Sequence, residues 1–442
     1  MASSLHWLCC PFCGGSFSAS GGDQHVGASA YDVLTCYCSH YPVVAGIPIL
    51  KRDTTGILDK VIALIEAGRH REALLALISP TSPALASAWI RSLPQARWSR
   101  WLKHLVHQRA LHSWQEQARV LLTDQDGQVT ACDLFDIYFH NRSVHNYFTF
   151  RYSDPSYLVA LSFISIIHQP KKPILELACG VGHITHHLVQ RAKGQPVIGV
   201  DNFFFGLYVA KHWLAPEAQY ICCDADTSLP FPDDAFSVAF CADAFHLFAS
   251  KTTSIRELER LIQDNGLIML VSMRNGLIKK QHGGLQLPPE GYQALVADMP
   301  HHCVANSAVL DRYLQKHGPP LACSAGIESL THEPRLSLVA SHAQEVFQDY
   351  GPFVNWPHAE GHLSLNPLYA AERREGSRIV YLRRTFPSAS YEEEHAECKA
   401  YLPEIVDIPS EILADLAQGE RTPGVKKLID QYVVLGMPER YR

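Results

Sequence analysis

From about residue 171 to residue 273 the sequence alternates short apolar runs with helical segments, and this alternation limits the fold more than any other feature. The runs are KPILELAC, ITHHLVQRA, PVIGVD, FGLYVAKHWL, AQYICCD, FSVAFCAD, a helical stretch near 251–263, and GLIMLVSM. Strands and helices of these lengths in strict alternation predict a parallel sheet with helices on both faces, a Rossmann-like α/β fold. Ligands of such sheets sit beyond the carboxyl ends of the strands. The glycine pair of ILELACGVGHITHHL (174–188) falls at one of those ends.

Two cofactor classes compete for that turn. A dinucleotide loop reads G-x-G-x-x-G, whereas Gly180-Val181-Gly182-His183-Ile184-Thr185 lacks the third glycine. Glu176, in the strand itself, lies where a pyrophosphate would rest and would repel it. The same carboxylate suits the ammonium and sulfonium of S-adenosylmethionine. Asp201 ends the second strand about 20 residues after the loop, where an acid accepts from both ribose hydroxyls. That position alone serves NAD equally well. Asp224 ends the third strand, placed to accept from an adenine amino group while the amide of Ala225 meets a ring nitrogen.

Residues 150–275 resemble the core of a class I S-adenosylmethionine-dependent methyltransferase of the ubiquinone-type branch. The matching pieces are E-x-x-x-G-x-G at Glu176–Gly182, Asp201 after VIGV, and Asp224-Ala225 followed by LPFPDDAFS. The resemblance implies that Glu176 and the backbone of Gly180 and Gly182 hold the methionyl end, with Ala178 at a position where glycine is common. It implies Asp201 at the ribose and Asp224 and Ala225 at the adenine; Asn202, beside Asp201, is counted among the cofactor-binding residues, and Phe203 directly after it is positioned to pack on the adenine face. Arg151 and Tyr152, in HNYFTFRYSDPSY with Tyr147, are implied over the methionyl carboxylate. FCADAFHLFA, after the fourth strand, offers Asp243 and His246 on the methyl side. His246 is the candidate general base for an acceptor that must lose a proton.

The first fifty residues carry a different signature. Cys10-x-x-Cys13 precedes Cys36-x-Cys38 by about two dozen residues, and two thiolate pairs on tight turns can close a tetrahedron around zinc. Cys10, Cys13, Cys36 and Cys38 are the expected structural ligands, with His40 as the alternative to Cys38 and Cys9 as a spare. The segment resembles the zinc-ribbon family of methyltransferase activators through its tail, YPVVAGIP (41–48). Some relatives use such a ribbon on RNA, but no Lys or Arg precedes Lys51 here, a poor composition for a phosphate clamp.

The expected organisation is a zinc ribbon (1–52), a helical connector or lid (55–145), a methyltransferase core with a substrate-side insertion (146–385) and a C-terminal helical tail (386–442) with two helical stretches. The connector holds the chain's one basic and aromatic cluster, Arg91 to Arg119 interleaved with Trp89, Trp98, Trp101 and Trp114. The spacing of Trp98, Trp101, Leu102 and Leu105 also fits an ordinary amphipathic helix. LSLVAS (336–341) and RIVYLRR (378–384) are read as the closing strands of the core. His183, His186 and His187 are read as solvated, and His358 with His362 gives an isolated H-x-x-x-H spacing.

At 47% apolar and 19% charged residues in 442, the chain has ample material for a large core. A formal charge of −6 offers no general attraction to nucleic acid or anionic membrane. No signal pattern follows MASSLHW and the longest apolar run, YLVALSFISII, is too short to span a bilayer, so a cytoplasmic protein is expected. The thirteen cysteines are odd in number and mostly sit singly in apolar runs, which argues against a disulfide framework. Together these features point to a methyltransferase with a small organic or natural-product acceptor. An rRNA or tRNA methyltransferase and a non-catalytic S-adenosylmethionine-binding scaffold are the alternatives.

Overall fold

A computed structural model of the chain describes residues 7–19, 29–79, 106, 109, 111–119, 122, 127–278, 285–353, 356–373 and 378–442. Its centre is a seven-stranded sheet of β1 (Ile174–Leu177), β2 (Val197–Asp201), β3 (Gln219–Cys222), β4 (Phe236–Ala242), β5 (Ile262–Arg274), β6 (His301–Ala305) and β7 (Arg335–Ala340). The order is β3-β2-β1-β4-β5-β7-β6, with β1 to β5 parallel and β7 antiparallel to both of its neighbours. Strands β1 to β4 are apolar along nearly their whole length because helices cover both faces. The order reverses between β1 and β4, which opens a crevice at their carboxyl ends.

The helix Pro155–Ile164, buried at all ten positions, packs against β5 and against the helix Asn306–Leu314. Pro155 at its first turn has no amide to leave unpaired, and the preceding Asp154 takes an extended conformation that starts the helix cleanly. The helix Thr185–Arg191 follows β1 and packs against Pro155–Ile164, whereas Lys251–Leu261 follows β4 and buries Ile255, Leu258 and Leu261 in a separate core cluster.

The N-terminal segment forms antiparallel strands, Tyr31–Thr35 and His40–Val44, and docks on the edge strand β3. The amide of Leu50 donates to the carbonyl of Cys222 at 2.8 Å, and Ile49 forms a parallel bridge with the same residue. This contact covers an edge that would otherwise expose unpaired backbone. Leu34, Tyr41, Val43 and Leu50 join one buried cluster with Leu175, Ile198 and Ile221 of the central sheet.

Three expectations are corrected by the fold. LSLVAS does enter the central sheet as β7, but RIVYLRR does not. Ile379–Arg384 pairs instead with Tyr369–Arg373 and Ile405–Pro409 in a separate antiparallel sheet that straddles residues 385 and 386. An alternating apolar pattern reports that one face is covered, not which sheet covers it. Beyond residue 386 the chain holds four helices, Ala389–Glu394, Cys398–Tyr401, Ser410–Ala417 and Pro423–Asp430, and, besides Ile405–Pro409, a second strand, Val434–Met437, that pairs with His362–Leu365. Finally, His183 and His187 are buried, at 5% and 0% exposure, rather than solvated. Chain distant in sequence covers them: Tyr441 packs edge-on to His183, and Glu360 lies beside His187.

Most of the basic and aromatic cluster, including Arg91, Trp89, Trp98 and Trp101, lies outside the described residues. Trp114 is buried and donates its Nε1–H to the carbonyl of Ile137 at 3.0 Å. No helix among the described residues is long and apolar enough to cross a membrane.

Candidate functional site

The crevice at the carboxyl ends of β1 to β4 holds a cavity of about 640 Å³. Its lining includes Arg151, Glu176, Ala178, Gly180, Asp201, Asn202, Phe203, Asp224, Ala225, Asp243 and His246. These eleven residues, all singled out in the sequence, are brought to one space by five separate segments of chain, and Tyr147 lines it with them. Gly182 and Tyr152 are not at the wall. The Gly182 backbone has φ +88°, and a Cβ there would meet the Ala210 Cβ at 2.9 Å, so this glycine permits close packing of the turn rather than ligand contact. Tyr152 points the opposite way from Arg151 and packs edge-on against Tyr157 and Tyr441.

Glu176 is 3% exposed and accepts a 2.5 Å hydrogen bond from the Thr185 hydroxyl. Burial, reinforced by the nearby Asp201 and only partly offset by Thr185, pushes its carboxyl up to about 8. Among the described residues no cation pairs with it. Asp201 is also raised, chiefly by burial, although its two oxygens accept from the amides of Gly180 and Phe203, each at 2.8 Å. Asp201 therefore fixes the glycine turn as well as facing the cavity. Its remaining lone pairs are available to hydroxyl donors. Ala178 and Gly180 both have positive φ, 53° and 57°, so the backbone turns sharply beneath the cavity. Lys51, just past the N-terminal strands, donates to the carbonyl of Asn202 at 2.9 Å and ties that segment to the cavity rim.

At the other end of the cavity Arg151 is 3% exposed. Its guanidinium reaches Asp154 at 3.1 Å, Ser156 at 2.7 Å and Asp243 at 3.2 Å, and stacks over the Tyr147 ring at 5.2 Å. Burial opposes the charge on Asp154, but His395 and Arg151, with the Tyr391 hydroxyl, outweigh it and hold that carboxyl at about 2. The second oxygen of Asp243 is buried without a hydrogen-bond partner. So is Nδ1 of His246. Burial drives His246 down to about 4, which leaves its imidazole neutral at physiological pH.

Phe148, Asp226, Thr227, Leu247 and Arg274 also line the cavity and were missed in the sequence. Arg274 ends β5, one strand beyond the four whose ends were searched. That shared position at a carboxyl end was the signal available.

The four sulfurs of Cys10, Cys13, Cys36 and Cys38 lie within 4.8 Å of one another. Thiolates around a tetrahedral zinc, at about 2.3 Å each from the metal, span comparable distances, so the donor set suits zinc. His40 is turned away and bonds Thr35 Oγ1 through Nδ1 at 2.9 Å. His358 and His362 do not converge: His358 is buried against the Tyr313 hydroxyl at 3.0 Å, whereas His362 is exposed at the start of a strand.

Residues 175–270 match the methyltransferase domain family. A demethylmenaquinone methyltransferase of Thermus thermophilus is 32% identical over 108 residues, 24% of this chain and 49% of that protein. One from Chlamydia muridarum is 23% identical over 180 residues, 40% of this chain and 76% of that protein. The chain thus spans about half the length of the Thermus relative. Among solved structures, the YcgJ protein of Bacillus subtilis is 17% identical, with 41% of this chain and 97% of that one covered at a TM-score of 0.30. The strand order, the glycine turn after β1 and the family match identify the fold as that of a class I S-adenosylmethionine-dependent methyltransferase.

Proposed function

We propose that the protein is an S-adenosylmethionine-dependent methyltransferase of the ubiquinone-type branch, acting on a small organic acceptor. One observation carries the reading: a buried carboxyl, Glu176, faces the cavity with no cation among the described residues to match it. Carboxyls at the ends of β2 and β3, Asp201 and Asp224, face the same space. Such a wall disfavours a pyrophosphate and favours a ligand that brings positive charge. S-adenosylmethionine supplies an electrophilic methyl group on a sulfonium.

The chain's own residues then have distinct tasks. Glu176, the Gly180 backbone and Arg151 would hold the methionyl end, Asp201 and Asn202 the ribose, and Asp224, Ala225 and Phe203 the adenine. Alignment of acceptor and methyl, with water excluded, is the main contribution required. We assign proton removal to His246, because it lines the cavity and its imidazole stays neutral. Residues 1–52 are read as a structural zinc ribbon held by Cys10, Cys13, Cys36 and Cys38. Its role here is scaffolding, since four protein ligands leave no open position on the metal.

A labelled-methyl transfer screen against small-molecule extracts, RNA and protein tests the acceptor class. Label in small molecules supports the reading. Label confined to RNA would replace it with the RNA alternative, and no transfer to any fraction would favour the binding scaffold.

A further inference from the structure

Arg274 at the end of β5 and Arg335 at the start of β7 are direct cross-strand partners. Like charges facing each other across an antiparallel pair are destabilising, so this pairing calls for an anion. The structure supplies one: Glu394, from the C-terminal extension, accepts from Arg274 at 2.9 Å and from Arg335 at 3.5 Å through a single oxygen. Two guanidinium groups therefore share one carboxylate, itself 46% exposed. Nε of Arg274 is buried with no hydrogen-bond partner among the described residues.

Arg274 lines the main cavity and also a small polar recess of about 50 Å³ that opens beside it, on which Arg335 borders as well. Around Arg151 the charges are matched: its guanidinium meets Asp154 and Asp243, and Asp154 is paired with His395 as well, at 3.2 Å. The arginine pair, with one half-exposed carboxylate between two guanidinium groups, is where positive charge is in excess at this end of the site.

Resting on the methyltransferase reading above, we infer that Arg274 and Arg335 form an anion subsite for the acceptor, which is a small molecule bearing a carboxylate or a comparable anionic group. Arg274 meets the anion from the main cavity and Arg335 from the recess. Glu394 shields the pair while the subsite is empty. The competing source of the same chemistry is the methionyl carboxylate of the cofactor.

Matched probes of equal shape and different charge test this: benzoate against benzamide, and acetate against acetamide. They are titrated calorimetrically into full-length protein with and without saturating S-adenosylhomocysteine. The expected result is binding of at least one acid about tenfold tighter than its amide, with that preference lost in Arg335→Gln and affinity for S-adenosylhomocysteine unchanged within about twofold. Thermal unfolding supplies the control for folding. Arg335→Gln should melt no lower than the parent without ligand, since it removes a repulsion, and should lose the upward shift that the acid gives the parent. Absence of an acid preference in the parent, or its survival in Arg335→Gln, overturns the subsite. A parallel loss of S-adenosylhomocysteine affinity in Arg335→Gln would assign the arginines to the cofactor instead. Failure of S-adenosylhomocysteine to bind sinks the methyltransferase reading, while the acid preference is still decided on the ligand-free protein.

Discussion

Glu176→Gln isolates the carboxyl on which the cofactor assignment turns. In the ligand-free protein burial holds this group near 8 against an ordinary value of 4.5. The sign is fixed by proton linkage. Between those values the folded chain keeps a proton that the unfolded chain has lost, so the stability is fully present below about 4.5 and declines as pH rises toward 8. Raising the carboxyl from 4.5 to about 8 corresponds to about 5 kcal/mol over that window. Glu176→Gln, neutral at every pH, should flatten the decline. Binding shows the opposite trend. A cationic ligand requires the ionised form, which costs about 1.4 kcal/mol for each pH unit below 8. S-adenosylhomocysteine, through its ammonium, should therefore bind up to about tenfold tighter per unit from pH 6 to 8 and level off above. A charge-assisted hydrogen bond contributes about 1.5–3 kcal/mol. Hence the substitution should weaken binding by about that amount at pH 9, by much less at pH 7, and should remove the slope. Calorimetry at pH 6, 7, 8 and 9 with thermal melts alongside reads both effects. A flat profile in the parent, or an unchanged slope in Glu176→Gln, would refute the assignment of the ammonium to this carboxyl.

Three other substitutions probe separate parts of the account. Gly182→Ala should lower stability by about 1–3 kcal/mol, because its Cβ would meet Ala210 at 2.9 Å in a backbone with φ +88°, as read by denaturant unfolding. An unchanged midpoint would show that the turn relaxes. His246→Ala should reduce kcat by about 10²–10⁴-fold if the imidazole removes a proton, with cofactor affinity kept; a loss confined to affinity would make it a binding group. Metal analysis should find one zinc per chain in the purified protein, lost in Cys13→Ser or Cys36→Ser and retained in His40→Ala. Zinc lost in His40→Ala would revise the ligand set.

The central sheet and its acids were legible because both obey local rules. Parallel strands covered on two faces read as unbroken apolar runs, and a carboxyl closing such a run stands out at Glu176, Asp201 and Asp224. What lay hidden depended on distant chain. His183 and His187 look like solvent-facing positions until Tyr441 and Glu360 return to cover them. The adjacent Arg151 and Tyr152 share one short 3₁₀ turn, Arg151–Ser153, and diverge within it: the first reaches the cavity and the second the aromatic cluster behind it. Sequence proximity could not separate them. The cross-strand meeting of Arg274 with Arg335 needs the register of β7 against β5, which no local pattern encodes. Ala178 shows the converse, a position legible as a departure from glycine whose backbone, at φ 53°, still adopts the left-handed turn.

The most direct measurement is a calorimetric titration of the full chain with S-adenosylmethionine and, separately, NADH, repeated in Asp201→Ala and Asp224→Ala. The account predicts that S-adenosylmethionine binds and NADH does not, with each substitution weakening the former by roughly 1–3 kcal/mol. Tighter binding of NADH, or affinity for S-adenosylmethionine indifferent to both acids, would contradict it.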